Sequence, residues 1–184
     1  MMGTWLGPVV TATLISSLIA ALGWYVSWRT ARGLDRQRRQ ERIDDIQTAL
    51  LAEVRSIVHH LDQYDAADLI GEVESRMQAN NGYSPFIPRE PHPSLFEAIS
   101  AEISVLPRRV IDPVVLFYRQ QEVIANFAED LRGGDFRSMR NEQKIQMIKD
   151  YLHLKEHAGR LGHEAINALK RELEIALNRS DADR

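Results

Sequence analysis

The chain has 184 residues, 44% of them hydrophobic and 27% charged, with a formal net charge of -3 and no cysteine. That length accommodates one membrane span plus a single domain with its own core, and the composition excludes both a disordered chain and a polytopic membrane protein. The lack of cysteine excludes a disulfide framework, a thiolate metal site and a cysteine nucleophile.

From Trp5 to Trp28 the sequence runs for 24 residues without a charge. At about 1.5 Å per residue, a helix of that length covers about 36 Å, enough to cross a hydrocarbon core of about 30 Å with a little tilt. Residues 1–28 are therefore expected to form a single transmembrane anchor. Pro8 falls in the first turn, where a missing N–H costs nothing. Trp5 at one end and Trp24, Tyr25 and Trp28 at the other suit the two membrane interfaces. The opening MMGT has no basic residue and no convincing small-x-small site follows the apolar run, so the segment is expected to be retained and not cleaved as a signal peptide.

Residues 29–42 carry Arg29, Arg32, Arg36, Arg38, Arg39 and Arg42 against Asp35 and Glu41, a local charge of +4 that leaves -7 for the rest. Positive charge collects on the cytoplasmic side of a span, so the expected orientation is N-terminus outside and C-terminal domain cytosolic, in a bacterial-type inner (plasma) membrane. The same arginines suit anionic lipid headgroups, each worth about 1 kcal/mol near the surface. An acidic body argues against nucleic acid as a partner. Within the span, Ala12, Ser16, Ala20, Gly23 and Ser27 share one helical face, and Leu14, Leu18 and Leu22 lie opposite. Small faces let helices approach closely in lipid, so this one is a candidate packing surface for a membrane partner or a second copy.

A helical pattern that begins near Leu34 runs through Ile43, Ile46, Leu50, Val54, Ile57, Leu61 and Tyr64, with Asp44, Gln47, Glu53, Arg55 and Asp62 assigned to the polar side. Asp65 is placed to cap a second helix carrying Leu69, Ile70, Val73 and Met77. Residues 80–93, NNGYSPFIPREPHP, hold four prolines and an Asn-Gly turn signal, and so form a long loop. Ser94 and Glu97 make an S-x-x-E capping box that predicts a helix over 94–105. Asp112-Pro113 reads either as a cap with proline at the first helical position or as a kink in a helix already begun. The stripe Val114, Phe117, Tyr118, Gln121, Ile124, Ala125 and Ala128 follows, closed by Gly133-Gly134. Ser138 is placed to cap a last long helix with Met147, Tyr151, Leu154, Ala158, Leu161, Ala165, Leu169 and Leu173 at spacings of three and four. The expected fold is all-α: an anchor, an Arg-rich juxtamembrane helix over 29–42, an antiparallel bundle of four or five helices over 43–178, and a frayed tail over 179–184.

His153 and His157, four apart on a helix, put both imidazoles on one face as a metal site requires. The Glu that a zinc hydrolase needs after its first His is absent, since position 154 is Leu. No E-x-x-H pair, phosphate-binding glycine loop or nucleophile elbow occurs, so neither catalysis nor a cofactor is expected. What remains is a non-catalytic, membrane-tethered module for protein interaction, a subunit or scaffold whose partners are membrane lipids and another membrane protein or itself. A metal-binding or ligand-sensing bundle using His153 and His157 is the alternative.

Overall fold

The computed structural model describes residues 6–63, 65–80, 82–90 and 92–182, without the side chains of 6–19, 26, 33, 36 and 179–182. All regular structure among the described residues is helical: α1 (Leu6–Leu61), α2 (Ala66–Ala79), α3 (Ser94–Ile99) followed by a 3₁₀ segment (Ser100–Val105), α4 (Arg108–Arg132), α5 (Gly134–Ser138) and α6 (Asn141–Ala182). The chain divides into two units, residues 1–43 and 44–184.

The first unit is helical from Leu6 onward, and no proline interrupts it after its first turn. Leu22, Trp24, Tyr25, Trp28 and Leu34 are exposed along it. Among the described residues no helix is long and apolar enough to cross a membrane. Most of the expected span, residues 6–19, has its side chains outside the description, as do Trp5, Ala12, Ser16 and the side chain of Arg36.

The second unit is a bundle built on α1 from Asp44 onward, α4 and α6. Arg109 pairs with Glu172 at 2.8 Å and Gln120 Nε2 donates to the Leu154 carbonyl at 3.2 Å, so residue numbers fall along α6 as they rise along α4. The two helices are antiparallel. Ile46, Leu50, Val54 and Val58 supply the buried stripe of α1, and Val110, Val114, Phe117 and Ile124 that of α4. Spacings of three and four put each set on one side of its helix, where burial stabilises by about 1.5–3 kcal/mol per large side chain. The three helices meet at Gly162. A Cβ there would lie 2.2 Å from Val58 Cγ2 and 3.0 Å from Phe117 Cε2, so the backbone of α6 itself forms part of the packed surface.

Asp65 caps α2 as its sequence position predicts, accepting from the N–H groups of Ala67 (2.8 Å) and Asp68 (3.3 Å). Helix α2 lies on α6 through Glu74–Lys149 at 2.7 Å and through Asn141 Nδ2, which donates to the Met77 carbonyl at 3.1 Å. Met77, Leu131, Phe136, Ile148 and Leu152 close a second part of the core beneath it.

Three local expectations change, and of the two readings of Asp112-Pro113 the structure shows the proline in a helix already begun. Ser94 makes no capping bond among the described residues, since the N–H groups of Leu95 and Phe96 are taken by a carboxylate from another helix, and the predicted 94–105 helix is α-helical only to Ile99 and continues as 3₁₀ from Ser100. Pro113 lies inside α4, near its N-terminal end, in a helix that begins at Arg108. Ser138 ends α5 and donates to the Asp135 carbonyl, while at the start of α6 the Arg140 N–H is met by Gln143 Oε1 at 3.3 Å. Helix α6 continues to Ala182, four residues past the expected end, since nothing in NRSDA breaks a helix.

The contact at Gly162 generates a test. Gly162→Ala forces a methyl into Val58 and is expected to destabilise the bundle by about 2 kcal/mol, as overpacking does. Adding Val58→Ala should return part of that loss, so the double variant falls short of the sum of the two singles in denaturant titrations followed by circular dichroism.

Candidate functional site

The loop over 80–93 has no N–H at Pro85, Pro88, Pro91 or Pro93, so side chains must hold it in place. Its first turn closes on Asn80, whose Oδ1 accepts from the Gly82 N–H at 2.9 Å and whose carbonyl accepts from Tyr83 N–H at 3.0 Å. Its far end is fixed by Glu90. The Glu90 side chain is only 8% exposed and accepts hydrogen bonds from the Tyr151 hydroxyl and from Lys155 Nζ at 2.9 Å, both on α6.

Just beyond the loop, Glu53 of α1 performs the matching task. Its two oxygens accept from Leu95 N–H (3.0 Å) and Phe96 N–H (3.1 Å), which are unsatisfied donors at the start of α3, and from the Tyr118 hydroxyl at 2.6 Å. A carboxylate at a helix N-terminus also meets the positive end of the helix dipole. Phe96 then stacks on Tyr118, ring centroids 3.9 Å apart and planes 13° from parallel. Glu53 thus binds α1, α3 and α4 together at one point.

Burial is the first cause that raises the pKa of both Tyr118 and Tyr151 well above the ordinary phenol value, followed by the hydrogen bond to Glu53 or Glu90 and the charge of that carboxylate. Both phenols are held protonated as donors.

Two cavities flank the loop, and Glu90 contributes to the wall of each. One, of about 520 Å³, is lined by His92, Phe96, Ile103, Tyr118 and Arg119 among others, and by Gln121, 7% exposed, whose Nε2 has no hydrogen-bond partner among the described residues. The other, of about 340 Å³, has Leu69, Val73, Ile148 and Leu152 in its wall and Phe86 at its edge. Phe86 is 89% exposed, although its neighbours in the loop, Pro85 and Ile87, are half-buried.

The residues singled out in the sequence fall elsewhere. Ala20, Gly23, Trp24, Tyr25, Ser27 and Trp28 are exposed on α1, as are Arg29, Arg32, Arg38 and Arg39. The Arg32 guanidinium lies over the Trp28 ring at 3.9 Å. His153 and His157 are both exposed, and His157 Nδ1 sits 3.3 Å from Arg160 Nη2. Among the described residues no three His, Asp or Glu side chains converge as a metal ion would need. Sequence reasoning missed Glu53 and Glu90, one assigned to a polar face and the other to a loop. The available signal was Tyr118 and Tyr151 within apolar stripes, since a buried hydroxyl requires a partner. Gln47, also assigned to the polar face, is 2% exposed.

Comparison with protein-family models, with curated proteins and with solved structures finds no match for this chain.

The buried phenols give a prediction for alkaline pH. In the unfolded chain both tyrosines ionise near pH 10; in the folded one they stay protonated to higher pH, so their contribution to stability is complete below pH 10 and is lost as pH rises above it. An ultraviolet titration should show two phenols ionising late and together with unfolding. In the Tyr118→Phe/Tyr151→Phe variant that late step should be absent.

Proposed function

We propose that this chain is a non-catalytic, membrane-tethered helical module, anchored by its N-terminal segment with the bundle on the cytosolic side, and that it works by binding other proteins. The observation that carries the reading is the cluster of exposed apolar side chains on α1, with Trp24 at 71% and Leu22, Tyr25 and Trp28 between 41% and 56% exposed. They end a run with no charge and are followed at once by Arg29 and Arg32. In water such a helix leaves a large apolar area uncovered, which globular surfaces avoid. At a membrane interface the tryptophans gain a headgroup environment and the arginines meet anionic lipid. Arg32 over Trp28 fits that setting, since a cation on an indole keeps both groups partly desolvated at the headgroup level. The loop over 80–93, long and fixed by Glu90, supports the binding part of the reading, because long ordered loops in compact domains are commonly functional.

Two measurements test the tether. After carbonate washing of membranes the full-length chain should stay in the pellet, and alkaline phosphatase fused after Arg184 should be inactive. Release into the supernatant, or an active fusion, contradicts the anchor or its orientation respectively.

A further inference from the structure

We propose that the patch around Phe86 is a two-fold interface between two copies of this chain, in which Phe86 of each copy enters the 340 Å³ cavity beside Phe86 of the other. A ring 89% exposed to water stands directly at the mouth of an apolar cavity that no side chain fills. Apolar cavities of about 150 Å³ already accept a benzene ring, so this one has room for a phenylalanine side chain. A projection and a recess adjoining on one surface are the condition for an isologous contact, since a two-fold axis sets each projection against the other copy's recess.

The charges at the rim choose a second copy over an unrelated partner. Arg89 of the loop and Glu156 of α6 both line the recess and are exposed, and neither has an ion-pair partner among the described residues. The other charged pair of the wall, Lys155 and Glu90, is already satisfied internally. One unpaired cation and one unpaired anion on the same rim are complementary to themselves under two-fold rotation. Each Arg89 then meets the Glu156 of the other copy, twice per pair. An acidic or a basic partner would leave one of the two unanswered. Glu90 supports the arrangement from below, because it holds the loop that carries Phe86 and Arg89 against α6.

This inference rests on the bundle being an interaction module and is independent of how the chain meets a membrane. It is tested with two differently tagged full-length copies, co-expressed, solubilised in mild detergent and captured through one tag. Wild type is expected to retain the second tag. Arg89→Glu in both copies, or Glu156→Arg in both, should lower retention about tenfold or more, as opposed like charges do. Phe86→Ser in both copies should lower it as well. The deciding arm pairs an Arg89→Glu copy with a Glu156→Arg copy. Both contacts are then attractive again and retention should return, which also shows that each variant is folded. No wild-type retention, or retention insensitive to all three substitutions, overturns the interface. So does restoration only when both charge changes sit in one chain, because Arg89 and Glu156 would then answer each other within a copy. A chain that stays with membranes but never captures its own copy overturns this interface alone and leaves the tethered reading in place.

Discussion

A carboxylate drawn out of water has to be met by donors, and Glu53 and Glu90 satisfy that requirement from the two sides of one connector. Glu90 takes the Tyr151 hydroxyl and Lys155, and Glu53 takes two backbone N–H groups of α3 and the Tyr118 hydroxyl. Hydrogen bonds to a charged group contribute about 1.5–3 kcal/mol each, and stripping the partners from a buried charge costs about 3–5 kcal/mol. The chain between Asn80 and Phe96 is therefore fixed at defined points although four prolines keep it from forming a helix of its own.

That mode of attachment explains why cavities remain. A loop held by a few polar contacts bridges the gap between helices without filling it, and the spaces on both sides of Glu90 are what the bridge leaves open. The rest of the bundle is packed by a different rule. At Gly162 the helices approach until Val58 and Phe117 rest on the α6 backbone, leaving no room for even a methyl group. Close helix contacts at Gly162 thus coexist with a bridged, incompletely filled region around the loop. Phe86 stands at the edge of that region.

The sequence made the long helices of the bundle legible because they are amphipathic over several turns, as at Leu50, Val54 and Val58 or at Val110, Val114 and Phe117, whereas the five-residue α5 is too short to show a period. Asp65 was legible as a cap because its bonds are local. The same local logic failed at Ser94, where S-x-x-E was present but the helix start was met by Glu53 from 42 residues away. A period of 3.6 sorts Glu53 and Gln47 to the polar side of α1, whereas in the fold Gln47 is buried and Glu53 meets α3 and α4. Gly162 gave no signal, since its role depends on which residues of two other helices arrive beside it. Glu90 was hidden for the opposite reason: a proline-rich loop has no period from which a buried position could be read.

Carboxylates hold the segment from Asn80 to Phe96 onto the frame, and hydrogen exchange measures that attachment directly. The amides of Leu95 and Phe96 should be protected in the wild-type chain and lose that protection in Glu53→Ala, while the central amides of α4 and α6 keep theirs. Unchanged protection at Leu95 and Phe96, or an equal loss across α4 and α6, would contradict the account: the first would mean that Glu53 does not hold the segment, the second that it acts only through global stability.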